Sequence, residues 1–472
     1  MTSQRTSADN QKSAKARTRA KGRIRTKSGR WFWFALGMGG IAMVSGVAGA
    51  LLAVSWSSTP LQQAQLTAKE AAVFESDRIS GNGFKFSQLT RPVHILVMGM
   101  SVLPPDVENP PSETNDLGYL PQINSFSGLA DVMLLIKFDP ETKKIIMLSI
   151  PRDTRTEIEG FGLKKINSAN VDGGPALTAK TVSNLLGGVG IDRYVRINVL
   201  GVSKLIDALG GVTVYVPKDM KYVDESQHLY INLKAGRQHL AGQEALQLLR
   251  FRHDELGDIG RIQRQQMVLR ALIEQTLNPG TLTRLPDILN TVKDNIDTNL
   301  TLEELVALVG FGTKTNRSNM EMLMLPGRFS EKNEYDYSYW IPYRREIRKL
   351  MVQNFGLETE TEAFEQIVNP ARIRVAIQDS TDSDRSDIRP LITALRKAGY
   401  RNIFVSKPWS EPLEITNIVA QKGDSTSAES IRNTLGFGEV KVESTGNIAS
   451  DISIQVGKDW LDNKPFFETE IR

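Results

Sequence analysis

Short apolar runs alternate with longer amphipathic segments between residues 93 and 355. A run of four to eight apolar residues bounded by turn residues is typical of a buried strand, whereas apolar residues three and four apart are typical of a helix. Strands that alternate with helices indicate a layered α/β or α+β domain. The pattern predicts strands at 93–99, 131–139, 143–150, 193–199, 212–217 and 319–327, and helices at 174–188, 200–211, 259–277, 286–296 and 302–311. It predicts that 241–252 begins as a helix and ends as an extended stretch. The segment 340–355 closes this domain, which we place at 91–355.

A second, smaller alternation of the same kind follows a polar linker at 356–369. Its apolar runs are short and its amphipathic segments span three turns, as in a compact α/β unit. The pattern predicts strands at 372–379, 402–407, 414–421 and 451–457, and helices at 387–400 and 427–437. The sequence therefore predicts a small C-terminal α/β domain at 370–460.

The longest apolar run precedes both domains. Residues 31–56 contain no charged residue and no proline, and about 20 apolar residues suffice to cross a bilayer as a helix. Trp31 and Trp33 stand at one end and Trp56 at the other, where indole rings favour the headgroup zone. A secretory signal peptide is the alternative, but its apolar region would be shorter and end in a clear cleavage site. We expect a retained transmembrane helix.

Charge sets the expected orientation of this helix. Residues 1–30 carry ten Lys or Arg and one acid, Asp9, so the net charge of +4 lies in this tail. The positive-inside rule then places the tail in the cytoplasm and everything after Trp56 outside the cytoplasmic membrane. The expected protein is single-pass, with a polar stalk at 57–90 before the first domain.

Composition excludes several kinds of site. The 472 residues include no cysteine and only four histidines. Disulfides, thiolate zinc sites and cysteine nucleophiles are therefore excluded, and no H-E-x-x-H zinc motif occurs. Glycine-rich nucleotide loops and the G-x-S-x-G hydrolase motif are also missing from the sequence.

An arginine-rich stretch offers a different chemistry. The sequence LLRFRHDELGDIGRIQRQQ, residues 248–266, holds Arg250 and Arg252 two positions apart, so they face one side of an extended segment. Asp258 is a suitable N-cap for the following helix, whose N-terminus presents free N–H groups to an anion.

On that helix, Arg261, Arg264 and Gln265 stand at i, i+3 and i+4, a spacing that puts them on one surface. Several guanidinium groups beside a helix N-terminus are suited to a diphosphate. The sequence therefore predicts a diphosphate site.

Three further segments supply candidate residues. Arg152 and Asp153 follow a buried strand in SIPRDT, and Lys165 lies in KKIN. Asp131 opens a strand after a long loop. It is a candidate ligand for Mg²⁺, which prefers one or two carboxylates together with phosphate oxygens.

The residues alone leave a plainer interpretation open. Arginine-rich helices are usually solvated faces with i,i+4 ion pairs, and Asp254 and Glu255 could serve as partners. Asp153 could be a turn residue, and Asp131 could cap its strand.

Four motifs follow one another in order: DVMLLIKFDPETKKIIMLSIPRDT, KKINSAN, DRYVRINVLGVSKLIDALGGVTVYVP and LKAGRQHLAGQEALQLLRFRHDELGDIGRIQRQQ. Together they resemble the LytR–CpsA–Psr family over about residues 90–280. Residues 370–457 resemble the C-terminal domain of LytR-type members. The resemblance implies a mixed central sheet sandwiched by helices, with a tunnel for a polyprenyl chain. It also implies a membrane-anchored phosphotransferase that moves a glycopolymer from a polyprenyl-diphosphate carrier onto peptidoglycan and releases polyprenyl phosphate.

The resemblance assigns roles to residues of this sequence. It implies that Asp258 corresponds to the aspartate before the helix, and that Asp131 lies on the Mg²⁺ side. Asp258 or Asp153 is a candidate acceptor for the proton of the incoming sugar hydroxyl. The arginine clamp of the diphosphate is implied to comprise Arg152, Arg250, Arg252 and Arg261, with Gln265 beside them.

This sequence departs from the family pattern on the metal side. Leu129 and Ala130 stand where the family usually has an arginine and a serine, and Ser101 stands where it usually has an aspartate. Either Asp106 in the long loop takes that role or metal binding is weaker.

Two other functions stay open. A transcription attenuator would use the arginines on DNA, but the predicted topology places them across the membrane from DNA, so we expect no nucleic-acid partner. A non-catalytic protein that holds lipid-linked sugar would need the same binding residues. The expected partners are the lipid-linked glycan, peptidoglycan and membrane lipid.

Overall fold

The described residues belong to one compact unit that spans Ser57–Arg472. The predicted cytoplasmic tail and transmembrane span lie outside them, and no helix in the described part is long and apolar enough to cross a membrane. The computed structural model describes residues 61–75, 77–81, 88–100, 126, 128–224, 229–251, 258–276, 279–315, 319–331, 333–357, 369–383, 386–421, 423–443, 445–447 and 449–469.

Strands and helices alternate along these residues. The strands are β1 (Ser80–Gly81), β2 (Gln88–Leu89), β3 (Val93–Met100), β4 (Ala130–Asp139), β5 (Lys144–Ser149), β6 (Arg155–Ile158), β7 (Gly162–Lys165), β8 (Arg193–Ile197), β9 (Val212–Val216), β10 (Met220–Asp224), β11 (Leu229–Leu233), β12 (Gly236–Leu240), β13 (Ile296–Thr298), β14 (Met320–Met324), β15 (Gly327–Phe329), β16 (Trp340–Pro342), β17 (Arg374–Asp379), β18 (Asn402–Val405), β19 (Asn417–Ala420), β20 (Glu439–Val442) and β21 (Ile452–Val456). The α-helices are α1 (Ala68–Ala71), α2 (Ala169–Leu185), α3 (Val199–Leu209), α4 (Gly242–Arg250), α5 (Asp258–Thr276), α6 (Pro279–Val292), α7 (Leu302–Gly312), α8 (Arg344–Phe355), α9 (Arg389–Lys397), α10 (Ser425–Leu435) and α11 (Asp459–Thr469).

The central sheet has six strands in the order β13-β8-β3-β4-β5-β14. The pairs β8–β3 and β5–β14 are parallel, and the other three are antiparallel. Successive residues of a strand face opposite sides of a sheet, so Leu96 and Met98 on β3 face one side and Ile95 faces the other. All three are buried. The predicted mixed sheet is therefore confirmed.

Helices cover both faces of this sheet. On one face, the sheet residues pack with Val182 of α2 and Leu350 of α8 in the largest hydrophobic cluster. On the other face, Leu308 of α7 packs near β3, while Leu269 and Ile273 of α5 pack near β5 and β14. The predicted sandwich of helices around a mixed sheet is thus confirmed, and α5 lies directly on the sheet.

A second sheet, in the order β18-β17-β21-β19-β20, forms the C-terminal part of the described chain. It has its own hydrophobic cluster, into which α9, α10 and α11 pack. Trp460 of α11 is fully buried there. The sequence did not predict α11, in which a proline interrupts the apolar spacing.

Several element bounds differ from the predicted ones. Helix α2 starts at Ala169 and kinks at Gly173 and Gly174, where Gly174 has a φ of +65°. The predicted start at 174 therefore marks the kink. The predicted helix 286–296 begins seven residues earlier, at Pro279, and its last residue begins strand β13 instead. The hairpins β6–β7 and β10–β11 were missed because their strands have only four or five residues and contain no run of four apolar residues.

Much of the predicted stalk is part of the folded domain. Phe74 and Ile79 are buried, and each belongs to a hydrophobic cluster that also contains residues of the central sheet. The Ala64 N–H donates a hydrogen bond to Asp297 Oδ1 at 2.6 Å. Phe74 and Ile79, which stand among polar residues, are therefore buried against the domain. The segment that contains them is part of the fold and not a flexible stalk.

A buried ion pair joins two neighbouring strands at one edge of the sheet. Arg196 on β8 and Asp297 on β13 are cross-strand partners, with Arg196 Nε 2.5 Å from Asp297 Oδ2. Arg196 and Asp297 are 7% and 2% exposed. The remaining Asp297 oxygen also accepts from the Tyr194 hydroxyl at 3.3 Å, and Arg196 donates to Asn170 Oδ1 at 3.2 Å. Since both charges have several partners, this pair links four segments of the domain.

A partly buried histidine makes stability depend on pH. The Nδ1–H of His94 donates to the Gly190 carbonyl at 3.0 Å, and its ring lies against Phe355. Burial lowers the pKa of His94 below its usual 6.5, and it outweighs the opposing effect of Asp192. The unfolded chain then takes up a proton at a higher pH than the native state does.

We therefore expect the free energy of unfolding to fall as pH drops below about 6.5, with a limiting slope of about 1.4 kcal/mol per pH unit. Above that pH the imidazole is neutral in both states and adds no pH dependence. In His94→Gln, whose amide can still donate to Gly190, this slope should be smaller. Urea unfolding between pH 7.5 and 5.5 measures the slope of the unfolding free energy against pH. Equal slopes in the wild type and in His94→Gln would show that His94 is not the source of the pH dependence.

Candidate functional site

An apolar cavity of about 250 Å³ lies between the central sheet and helix α5. Its wall is mostly aliphatic, and polar side chains gather in one part of the lining. The lining residues are Val97, Gly99, Asp131, Val132, Met133, Leu134, Ser149, Ile150, Pro151, Arg152, Asp153, Val195, Ile197, Val202, Leu205, Leu249, Arg261, Gln265, Gln266, Val268, Leu269, Leu272, Ile296, Phe329 and Trp340.

The polar part of the cavity wall belongs to a cluster of five charged side chains. Arg152 Nη1 lies 2.9 Å from Asp131 Oδ1, and Arg152 Nε lies 3.2 Å from Asp153 Oδ2. Arg261 Nη2 lies 3.4 Å from the other oxygen of Asp131. Lys165 Nζ lies 2.7 Å from Asp153 Oδ1. Among the described side chains, three cations therefore face two carboxylates.

Arg152 is the centre of this cluster because it contacts both carboxylates. Burial disfavours its charge, but Asp131 and Asp153 outweigh burial and raise the pKa of Arg152 above its usual range. The guanidinium therefore stays charged. It can donate to an anion that displaces one of its carboxylate partners.

Neighbouring strands and a rigid turn bring these residues together. Asp131 lies on β4, and Arg152 lies in the turn after β5, the antiparallel neighbour of β4. The Asn167 N–H donates to the Arg152 carbonyl at 3.2 Å and the Trp340 N–H donates to the Asp153 carbonyl at 2.9 Å. Arg261 enters from the first turn of α5. Lys165 ends β7, so the charged cluster is assembled from four separate segments.

Two of the predicted arginines do not line the cavity. Arg264 is buried, donates to the Phe251 carbonyl at 2.6 Å and lies over the Phe251 ring. Arg250 is half-buried at the end of α4. The predicted single surface of Arg261, Arg264 and Gln265 is therefore split, since Arg264 joins α5 to the end of α4 and the other two lie at the cavity.

Other predicted residues fall in different places. Lys165 reaches the cluster only through Asp153 and also lies near the Tyr339 ring. Helix α5 begins at Asp258, one residue before the predicted start, so the predicted N-cap is its first residue, and the structure does not describe that side chain. Arg252 and Asp106 lie outside the described residues.

Sequence reasoning missed one polar residue of the wall. Gln266 is 2% exposed and lines the cavity, and its amide has no hydrogen-bond partner within the described part of the chain. A buried amide without a partner costs stability. Its position directly after Gln265 in RQQ was the available signal.

Asp131 and Asp153 are the carboxylates of the charged cluster that a Mg²⁺ ion could use. No group of three histidine or acidic side chains converges among the residues that the structure describes. Both Asp131 oxygens face guanidinium groups. Because Mg²⁺ is usually bound by one or two carboxylates plus substrate phosphates and water, Asp131 fits the ion as a single protein ligand that needs a bound phosphate to complete the shell.

Two family models match the chain. Residues 57–355 match the model described as "LytR_cpsA_psr family". Residues 372–460 match the model described as "LytR cell envelope-related transcriptional attenuator". The first match covers more than half of the chain and includes all the cavity-lining residues.

Two curated relatives and one solved structure are similar to parts of this chain. The polyisoprenyl-teichoic acid–peptidoglycan teichoic acid transferase TagV of Bacillus subtilis (strain 168) is 33% identical over 244 residues, 50% of this chain and 62% of the relative. The transferase TagU of Bacillus cereus, named for the same reaction, is 30% identical over 313 residues, 66% of this chain and 92% of the relative. The crystal structure of B. subtilis TagV is 28% identical with a TM-score of 0.47, over 57% of this chain and 99% of that one. The chain thus spans less than two thirds of the first of these relatives.

Proposed function

The chain belongs to the LytR–CpsA–Psr family, and we propose that it is an extracytoplasmic phosphotransferase, anchored by residues 31–56, that moves a glycopolymer from a polyprenyl-diphosphate carrier onto peptidoglycan. The observation that carries the proposal is the convergence of Arg152 and Arg261 beside an apolar cavity. The names of the two relatives, teichoic acid transferases that act on peptidoglycan, support the class of reaction.

The cavity matches the two chemical parts of such a substrate. Aliphatic side chains along α5 and the sheet suit a polyprenyl chain, because its transfer from water is favourable. The cations gathered beside the cavity, Arg152, Arg261 and Lys165, suit the diphosphate. On binding, the phosphate oxygens replace Asp131 and Asp153 as acceptors for Arg152, so the arginine exchanges partners without being left unpaired.

The proposed step exchanges one phosphorus–oxygen bond for another. A peptidoglycan hydroxyl oxygen attacks the phosphorus that bears the glycan, and a new phosphodiester forms. The bond between this phosphorus and the bridging oxygen breaks, and polyprenyl phosphate leaves with that oxygen. Arg152 and Arg261 stabilise the charge that develops on the phosphoryl oxygens, which is the main requirement of phosphoryl transfer.

The hydroxyl proton needs an acceptor in this step. Among the described residues, Asp153 lies beside Arg152 and lines the cavity. Lys165 holds one of its oxygens at 2.7 Å, which fixes the orientation of the carboxylate. Asp153 is therefore the proposed base within the described part, and Asp258 stays the second candidate.

Mg²⁺ is part of the proposal, with Asp131 as its ligand in this chain. When bound, the ion would neutralise charge on the phosphate oxygens. We expect turnover to stop on chelation with EDTA and to return on addition of Mg²⁺. Asp131→Asn should need a higher Mg²⁺ concentration for half-maximal turnover. Full activity in EDTA would contradict the metal assignment and leave the arginine site unaffected.

Release of polyprenyl phosphate tests the proposed function directly. The full-length protein in detergent is incubated with an undecaprenyl-diphosphate-linked glycan and peptidoglycan fragments, and mass spectrometry follows both lipids. We expect polyprenyl phosphate to appear together with glycan-bearing fragments. Binding of the lipid without any release would instead favour a carrier-binding protein.

A further inference from the structure

The C-terminal sheet contacts the helix that carries part of the charged cluster. Arg270 on α5 lies 2.5 Å from Glu443, directly after β20, with side chains 21% and 13% exposed. Gln263 Nε2 donates to the Gly446 carbonyl at 3.0 Å and also contacts the Thr445 carbonyl at 3.4 Å. Glu443 in turn accepts from the Thr445 hydroxyl at 3.2 Å. One short segment, residues 443–446, therefore holds α5 at two points.

These contacts use a different side of α5 from the cavity. Gln263 and Arg270 stand seven residues apart, so they lie on one stripe of the helix. Arg261, Gln265 and Leu272 line the cavity. Gln266, one turn from both Gln263 and Arg270, is enclosed where the two sides meet. Helix α5 is thus held between the cavity and segment 443–446.

An apolar contact next to this segment joins the two hydrophobic cores. Val442 packs against the main cluster of the central sheet and against the cluster of the C-terminal sheet. Met322 on β14 forms a bridge with Glu443. Because packed cores resist deformation, a contact between them transmits position. The residues that contact α5 thus directly follow a residue that packs into both cores.

We infer that the C-terminal domain positions the diphosphate site, and that Arg270 and Gln263 are positioning residues that fix Arg261 and Gln265 at the cavity. This inference rests on the proposed function. Gln263 is only two residues from Arg261, so a small shift of the helix moves the guanidinium relative to Asp131. Misplacement by 1 Å costs on the order of 10² in rate in well-organised sites.

Charge reversal across the contact tests this inference. In the full chain, we expect Arg270→Glu and Glu443→Arg each to lower kcat by about 10-fold. KM for the lipid diphosphate should stay within about 2-fold, because apolar contacts along the cavity wall tolerate a small shift of α5, whereas the transfer step depends on the exact position of Arg261. The double variant, which restores opposite charges, should regain most of the lost kcat. Glu414→Arg is the matched control, since Glu414 pairs with Lys458 on the exposed surface of the same domain.

Hydrogen exchange of the α5 amides separates this inference from the proposed function. Both single variants should exchange faster in α5 while the midpoint of thermal unfolding stays near that of the wild type. If the wild type shows no turnover but the single variants exchange faster in α5, the proposed function is overturned and the inference that the C-terminal domain positions α5 is supported. If the wild type is active and both single variants have the same kcat and the same α5 exchange as the wild type, the inference that the C-terminal domain positions α5 is overturned. Where Arg270→Glu unfolds the protein, the milder Glu443→Gln is measured by the same criteria.

Discussion

Replacing Arg152 with alanine is expected to lower transfer by about 10²- to 10³-fold, equivalent to about 3–4 kcal/mol of transition-state stabilisation. This arginine contacts both carboxylates of the charged cluster, so in the proposed complex it lies beside both the diphosphate and the base. Its removal takes away hydrogen-bond donors to the charge that develops on the phosphoryl oxygens. It also removes a positive charge that pairs with Asp131 and Asp153. Both changes act on the transition state, and kcat should fall much more than KM rises.

The measurement is release of polyprenyl phosphate under saturating lipid. Arg389→Ala is the control, because Arg389 also pairs with an aspartate, Asp387, but is 85% exposed on the C-terminal domain. The control should keep full turnover. Circular dichroism and thermal unfolding establish that Arg152→Ala is folded. Turnover within a factor of two of the wild type would remove Arg152 from the proposed mechanism.

The second large effect is on stability. We expect Asp297→Ala to lower the free energy of unfolding by about 3–5 kcal/mol, because it leaves Arg196 charged and buried without its main partner. The same change removes the acceptors of the Ala64 N–H and the Tyr194 hydroxyl. The N-terminal segment that was predicted to be a stalk should then detach locally, and proteolysis near residue 64 should become faster.

Urea unfolding of both proteins gives this difference. Asp219→Ala is the matched control, since Asp219 pairs with Lys234 at the surface with side chains 60% and 77% exposed, and exposed pairs contribute little. An unfolding free energy equal to that of the wild type in Asp297→Ala would show that water or another group compensates Arg196. Replacement of both residues by apolar ones should cost less than the single change.

The sequence predicts the central sheet well because buried strands have a local signal. Strand β3 was expected at 93–99 and spans Val93–Met100, and β4 was expected at 131–139 and spans Ala130–Asp139. Their apolar runs are continuous, since both faces of the sheet are covered by helices. Strands such as β7 (Gly162–Lys165) are polar and pair only in two-stranded hairpins, so nothing in their composition separates them from a loop.

The candidate site could be predicted only in part, because local spacing does not show which distant groups a long side chain contacts. The family resemblance implied that Arg152 and Arg261 act together, and the structure brings both to Asp131. Helical spacing placed Arg264 on the same side as Arg261, but spacing says nothing about which neighbour a long side chain contacts. Here the Phe251 carbonyl and ring hold it. The contact of Arg270 with Glu443 joins residues 173 positions apart, which no local pattern could indicate.

Two open sheet edges face each other in this fold. Strand β14 ends the central sheet and β20 ends the C-terminal sheet, and the bridge of Met322 with Glu443 lies between them. An uncovered edge strand is a template for pairing with another copy of a protein. Each domain therefore shields the other from self-association, and a fragment cut within residues 358–368 would expose the apolar strand Met320–Met324 to aggregation.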